Sequence, residues 1–200
     1  GLMIGVATLI IVMSVMNGFR TELTDKILGF NSHVTIKPYN NNYEEQMYLD
    51  LEKKFTDSKI VKTYSSEAVI MMNNAAKGVL IRGFDKNKID QINFLKKNII
   101  DGKLSNFKSN SIIIGKYLAI ELGVVVGDRI NILSSKSIST PLGTIPKQEP
   151  FYISAVFSSG LYEFDKNIVF INLKDSLSFF EKSDEAVSYT HLTLPTMYTV

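Results

Sequence analysis

The first 19 residues constrain the fold more than any other part of the sequence, because none of them is charged. This segment, GLMIGVATLIIVMSVMNGF, precedes a remainder that carries all 22 Lys and Arg and all 20 Asp and Glu residues. A helix that spans a bilayer needs about 20 apolar residues to cross roughly 30 Å of hydrocarbon. We therefore predict a membrane helix over residues 1–19 joined to a soluble body, with a core helix or a signal remnant as the alternatives.

The residues on both sides of the apolar run refine this prediction. The run is somewhat short for a span, and the sequence begins with Gly1 rather than Met. We therefore expect a truncated helix that starts inside a longer chain. Residues 20–29 place Leu23, Ile27 and Leu28 at helical spacing before Gly29, which predicts an amphipathic stalk that continues the helix out of the bilayer.

Charge and residue types exclude several functional classes. The net charge is only +2 and no Lys/Arg run is longer than two residues, so nucleic acid is not expected as a partner. The sequence has no cysteine, which excludes disulfides and thiolate chemistry. Neither a GxxxxGK[ST] phosphate loop nor an HExxH motif occurs. We therefore predict a chain that is not an enzyme, with no catalytic residue, no metal site and no cofactor of its own.

The remainder of the sequence mixes short strand patterns with short helix patterns. Strand patterns cover residues 33–37, 60–64, 68–72, 77–82, 111–114, 129–133, 151–157 and 167–172. Helix patterns cover residues 43–55, 86–95, 116–122 and 176–182. Because strands and helices do not alternate as strict βαβ units, the pattern predicts an α+β fold.

A proline-rich segment, residues 134–150, lies between two predicted strands. Its three prolines exclude a central strand, and Gly143 predicts a hairpin tip that carries Leu142 and Ile145 as apolar residues. The residues alone leave two interpretations open. The segment is either a passive long loop or an arm that docks a partner.

Several stretches carry a family resemblance in a consistent order and spacing. They are VATLIIVMSVMNGFRTELTDKILGFNSHVTI at residues 6–36, GVLIRGFD at 78–85, IG at 114–115, GDR at 127–129, TPLGTIP at 140–146, and YEFD at 162–165 with VF at 169–170. Over residues 1–184 the sequence thereby resembles the permease subunits LolC and LolE of the lipoprotein-releasing ABC transporter of Gram-negative bacteria.

The resemblance implies a MacB-like periplasmic domain after the first membrane helix, composed of a part called Porter and an inserted, β-rich part called Sabre. Residues 30–76 are then expected to form the first half of Porter, residues 77–172 Sabre with a hook hairpin at 134–150, and residues 173–184 the start of the return to Porter. Three further membrane helices are expected after these. The implied location is the bacterial inner membrane, with most of these residues in the periplasm.

The resemblance also implies a function and partners. In such transporters a cytoplasmic ATPase dimer drives two permeases, which release lipoproteins from the inner membrane to the periplasmic carrier LolA. ATP and Mg would bind the partner ATPase, and this chain would meet a second permease, identical or homologous, together with the lipoprotein and the membrane. A MacB-like export permease and a membrane-anchored periplasmic interaction domain are the alternatives. LolC-type, LolE-type and hybrid permeases are all compatible with the motifs.

Within this resemblance the hairpin matches the hook with which LolC-type permeases grip the carrier. The hook positions are Thr140, Pro141, Leu142, Gly143, Thr144, Ile145 and Pro146. A basic pad beside the hook falls on Asn131, Gln148 and Glu149, where only the glutamine is retained. The resemblance thus favours a docking arm over a passive loop, while the charge of the pad departs from the family.

The end of the sequence departs from the family altogether. Residues 187–196, VSYTHLTLPT, resemble a translated sequencing-adapter read-through. Residues 187–200 are therefore expected to be non-native and to lie outside the fold, and a genuine C-terminal strand is the alternative.

Overall fold

The computed structural model describes residues 1–30, 34–36, 45–54, 60–72, 75–89, 93–140, 143–181 and 188–191. The helices of this part are α1 Leu2–Phe30, α2 Glu45–Lys54, α3 Asn93–Asn98, α4 Lys116–Leu122, α5 Tyr162–Asn167 and α6 Leu173–Phe179. The strands are β1 Val34–Ile36, β2 Ile60–Met72, β3 Ala75–Phe84, β4 Ile99–Gly102, β5 Ser111–Gly115, β6 Arg129–Thr140, β7 Gly143–Phe157, β8 Ile168–Asn172 and β9 Ser188–His191. This mixture confirms the predicted α+β class.

Six of the strands pair in a closed ring. β2 pairs with β3, β3 with β8, β8 with β5, β5 with β7, β7 with β6, and β6 pairs again with β2. The β3–β8 and β5–β7 pairs are parallel, and the other four are antiparallel. β4 extends the sheet from β7, and β9 and β1 extend it from β2. Ring closure removes exposed edges along most of the circuit.

Apolar side chains from all six strands fill the interior of the ring. This interior cluster includes the buried residues Ile70, Ile81, Ile112, Ile114, Ile132, Phe151, Ile153 and Val169. α4 and α6 add Leu118, Leu122, Leu177 and Phe179 to the same cluster. A second cluster, which contains Ile113, Phe157 and Phe170, includes Leu95 of α3. Since successive residues of a strand point to opposite faces, β5 is buried on both faces, which explains its uninterrupted apolar sequence.

Two predicted helices differ in extent from the observed ones. The helix predicted over residues 86–95 is replaced at its start by a turn, since the Asp85 carboxylate accepts the Asn87 N–H at 3.0 Å. The described helix in this region is only α3. The last helix begins at Leu173, before the predicted residue 176, because the Asn172 side chain caps it by accepting the Lys174 N–H at 3.2 Å.

The strands predicted over residues 60–64 and 68–72 are one continuous strand, β2. Ser65 and Glu67, which lie between the two predicted segments, are exposed on the outside of the ring and still pair with β3. The expected Porter–Sabre boundary at 76/77 falls within β3, which shares ten paired positions with β2. The two parts are therefore joined in one sheet at this point, and their division stays a prediction.

We expected residues 187–200 to lie outside the fold, but four of them form a strand of the sheet. Ser188–His191 form β9, which pairs with Ile60–Thr63 of β2 and with β1. The alternative, a C-terminal strand, is therefore what the structure contains at these four residues. Extended backbone with polar and aromatic side chains suits a strand at the margin of a sheet. The predicted non-native origin of the tail is a separate question and stays a prediction.

Candidate functional site

The hairpin formed by β6 and β7 projects beyond the ring. Its base, residues 129–133 of β6, pairs with residues 148–152 of β7, and β2 pairs with the other side of β6 only as far as Ser134. After a register shift between Leu133 and Ser137, the two strands pair only with each other. We call this outer part, residues 137–146, the arm.

All seven positions of the predicted hook fall within the arm. Thr140 pairs with Gly143 as the last pair of the hairpin, and Gly143 has a φ of 126°, a conformation that side chains rarely tolerate. Thr144 pairs with Ser139. The predicted hook residues Pro141 and Leu142 lie outside the described residues. The structure therefore forms a hairpin where the sequence predicted one, which fits an arm better than an irregular loop.

The arm presents apolar surface to solvent. Ile145 is 55% exposed, and Pro146 beside it is also exposed. By contrast, Phe151, which has the same orientation further along β7, is fully buried. An exposed isoleucine on a self-paired hairpin adds nothing to the core, so this side chain is available for contact with another molecule.

The structure divides the predicted pad between two faces of the hairpin base. Directly paired residues share a face, and neighbours along a strand alternate. Asn131 pairs with Pro150 and the adjacent Leu133 with Gln148, so Asn131 and Gln148 lie together on the outside of the ring. Glu149 pairs with the buried Ile132 and therefore lies on the opposite face. The pad is thus two neutral amides, and the acidic residue is turned away from them.

A lysine that the sequence reading missed occupies the face of Glu149. Lys147 donates a hydrogen bond from Nζ to the Ser178 carbonyl oxygen at 2.9 Å, and the same Nζ lies 3.3 Å from Glu149 Oε1. It also lies 4.0 Å from Glu181 Oε1. The amine thereby neutralises Glu149, so the charge inversion suggested by the sequence does not create an acidic surface beside Asn131.

A second candidate surface is the N-terminal helix. Leu2–Thr24 is long enough to span a membrane, its most apolar 18-residue window has a mean hydropathy of 2.1, and none of that window is buried inside the protein. Thr8 bonds through its side-chain hydroxyl to the Ile4 carbonyl oxygen at 2.8 Å, so its polar group is satisfied within the helix. α1 runs without a break from Leu2 to Phe30, across the residues predicted to form a stalk, and the stalk itself stays a prediction. Length and composition suit α1 to a bilayer.

Asp165 is the most deeply buried carboxylate of the described residues, and its contacts are structural. Ser159 donates its N–H to Oδ1 at 2.7 Å and its hydroxyl to the same oxygen, and the Ser158 hydroxyl donates to Oδ2 at 3.1 Å. Gly115 lies so close that an added Cβ would come within 2.0 Å of the Asp165 carbonyl oxygen. A carboxylate held by three donors connects the end of β7 to α5.

A surface ion network joins α4 to α5 and β3. Glu121 lies 3.3 Å from Lys166 Nζ and 3.4 Å from Lys77 Nζ. Desolvation opposes its ionisation, but the hydrogen bonds and charges of these two lysines outweigh that effect and hold the pKa of the Glu121 carboxyl below its ordinary value. Hydrogen bonds to Tyr162 and then to Glu121 raise the pKa of the Lys166 amine. These contacts fasten two short helices together.

The described residues hold no group of three His, Cys, Asp or Glu side chains that could bind a metal. The candidate site that we consider is the arm together with the pad residues at its base. Sequence reasoning found the hairpin from its prolines and glycine. It missed Lys147, whose only sequence signal is its alternation with Glu149 and Phe151 along β7.

Comparison with known proteins places these features in a family. The model of the MacB-like periplasmic core domain matches residues 1–197. A Xylella fastidiosa protein named lipoprotein-releasing system transmembrane protein LolC is 28% identical over 88% of this chain and 43% of its own length. A Haemophilus influenzae protein named lipoprotein-releasing system transmembrane protein LolE is 28% identical over 78% of this chain and 39% of its own length. The chain thus spans less than half the length of these curated relatives.

A solved structure shares the fold. The periplasmic region of MacB from Actinobacillus actinomycetemcomitans superposes with a TM-score of 0.51 at 11% identity, over 84% of this chain and 69% of that chain. At this identity the likeness concerns the fold alone.

Proposed function

The chain belongs to the family of MacB-like periplasmic core domains, and from this premise we propose that it is part of an ABC transporter permease that releases lipoproteins from the bacterial inner membrane and hands them to a periplasmic carrier. ATP hydrolysis, with Mg, takes place on a separate ATPase dimer in the cytoplasm. A second permease, identical or homologous, completes the membrane part. The relatives named LolC and LolE support lipoprotein release as the activity.

The two exposed apolar surfaces, α1 and the arm, have different roles in the proposed function. α1 anchors the chain in the inner membrane, since it is long and apolar enough to span and carries its first charge at Arg20. The ring is assigned to the periplasm because the matching family is that of MacB-like periplasmic core domains. Its exposed side chains are a suitable surface for the acyl chains of a lipoprotein. The arm projects from the ring at another point of the chain, where it docks the carrier.

The observation that carries the docking role is the self-paired arm with Ile145 exposed. A two-stranded hairpin with prolines at its tip and base has little conformational freedom to lose when it enters a groove of a carrier. Asn131 and Gln148 supply hydrogen-bonding amides beside it rather than charges. Docking therefore depends on apolar contact more than on charge, and we expect carrier affinity to change little with salt concentration.

The test uses the full 200-residue chain in detergent and a purified LolA-type carrier. We expect the unaltered chain to bind the carrier, and Leu142→Asp and Ile145→Asp each to lower the affinity by at least about tenfold, because apolar anchors dominate such interfaces. Ile120→Asp is the matched control, because Ile120 is exposed to 66% and belongs to α4 and not to the arm. It should bind as the unaltered chain does.

Folding is verified for each variant by circular dichroism melts. A folded chain that fails to bind the carrier would exclude the docking role and would favour an anchored interaction domain. Equal losses in Ile120→Asp and Ile145→Asp would show that the arm is not the docking element.

A further inference from the structure

We propose that Lys147 is a positioning residue that holds the arm at a fixed angle to the ring by binding the C-terminal end of α6. The inference rests on the proposed function, since it concerns the arm assigned to carrier docking. Lys147 lies outside the hook and the pad. Glu149, which was predicted as a pad residue, instead supports the position of Lys147.

The contacts of the Lys147 amine converge on one point of the body. Nζ lies 2.9 Å from the Ser178 carbonyl oxygen, 3.3 Å from Glu149 Oε1 and 4.0 Å from Glu181 Oε1. It also lies 5.8 Å from the ring centroid of Phe179. The last carbonyl groups of a helix lack intrahelical partners and carry partial negative charge, so a cation is favoured there. The side chain is only 18% exposed, which reduces screening by solvent.

The end of α6 is a rigid anchor for this contact. Leu177 and Phe179 of α6 are buried in the interior cluster. The Phe179 ring packs edge-on against Phe151 of β7 with centroids 6.2 Å apart, and the next residue, Phe180, packs against Tyr64 of β2 at 5.7 Å. The acceptor of the Lys147 hydrogen bond is thereby fixed relative to the ring.

Lys147 occupies the position at which the hairpin leaves the ring. The register shift of the hairpin lies between Leu133 and Ser137 of β6. Leu133 pairs with Gln148 of β7 and Ser137 pairs with Pro146, so Lys147 is the one residue of β7 between these two pairs. Pairing is interrupted here, so strand hydrogen bonds alone do not define the angle of the arm. A side chain that bonds to the body at this point supplies the missing restraint.

The same restraint determines the direction in which Ile145 points. Ile145, Lys147 and Glu149 alternate along β7 and therefore share a face. Glu149 lies beside the Lys147 amine and supports its position, which accounts for an acidic residue at this place. An arm held in this way presents Ile145 in one orientation, so binding of the carrier does not have to select this orientation from a broad set of arm conformations.

The angle of the arm can be measured by pulsed electron–electron double resonance. The chain has no native cysteine, so spin labels on Thr144→Cys in the arm and Lys116→Cys on α4 give one defined distance. We expect a narrow distance distribution in the otherwise unaltered chain in detergent. Lys147→Met should broaden it, Lys147→Arg should restore it, and Lys174→Met, which alters an exposed lysine of α6, should leave it narrow.

Carrier affinity is measured on the same variants without labels. We expect Lys147→Met to weaken binding by about fivefold, since the carrier must then order the arm, and Lys147→Arg to restore it. An unchanged distance distribution in Lys147→Met would overturn the proposal, whatever the carrier does. A broadened distribution with unchanged affinity would also overturn the positioning role. If the distribution broadens in a chain that never binds the carrier, the proposed function fails and the restraint on the arm stands.

Discussion

The central strand β5 and the outer part of β7 have the same conformation but opposite environments. In β5, Ile112, Ile113 and Ile114 are completely buried between the two apolar clusters. In the arm, Ile145 is 55% exposed, and this outer part of β7 pairs only with β6. The difference shows that an isoleucine in a strand contributes to stability when other parts of the protein bury it, and is available for recognition when it is exposed to solvent. The ring supplies the stability that lets the arm remain exposed.

The largest expected effect comes from truncating the same side chain in the two places. Ile113→Ala should lower the free energy of unfolding by about 3 kcal/mol, since it removes buried apolar volume and leaves a cavity. Ile145→Ala should lower it by less than about 0.5 kcal/mol, because the side chain is mostly in water already. Urea denaturation followed by circular dichroism, in detergent, measures both.

Carrier binding should respond in the reverse order. The folded fraction of Ile113→Ala should retain the affinity of the unaltered chain, whereas Ile145→Ala should lose affinity without loss of stability. A large stability loss in Ile145→Ala would mean that the arm folds back on the body, and the contrast between β5 and the arm would then be wrong.

A smaller effect is expected when a buried carboxylate of the body and a carboxylate at the base of the arm are neutralised. Asp165→Asn should cost about 2 kcal/mol, because the amide keeps only one acceptor oxygen and cannot accept all the hydrogen bonds that Ser158 and Ser159 donate to the two carboxylate oxygens. Glu149→Gln should cost less than about 1 kcal/mol, since Lys147 keeps its bond to Ser178. Thermal melts of the two variants at neutral pH compare them, and equal costs would contradict the difference in burial.

The sequence predicted the local parts of this arrangement. The helix over residues 116–122 was predicted with its observed bounds, because Gly123 ends it in a left-handed conformation with φ 65°. The hairpin was predictable from Gly143 and its flanking prolines. The class of fold followed from short strands and helices without strict alternation.

Long-range features were not predictable from the sequence. The faces of Asn131 and Glu149 depend on the pairing register of β6 and β7, which spacing alone does not define. The bond from Lys147 to Ser178 joins residues 31 positions apart, and it exists because α6 packs into the interior cluster. Ring closure through β6 likewise depends on pairing between distant segments.

The smallest expected effect concerns a third kind of strand, β9, at the margin of the sheet. Deletion of residues 187–200 removes the partner of Ile60–Thr63 and of β1. The free energy of unfolding of the ring should fall by no more than about 1 kcal/mol, since water replaces the lost backbone partners of a short, polar strand.

Hydrogen exchange with mass spectrometry measures where protection changes. Amides of Ile60–Thr63 should exchange faster after the deletion, whereas those of β5 and β8 should keep their protection. Loss of protection in β5 as large as that caused by Ile113→Ala would show that the tail supports the core. The predicted non-native origin of residues 187–200 would then be wrong, since a core that depends on a segment has that segment as part of its fold.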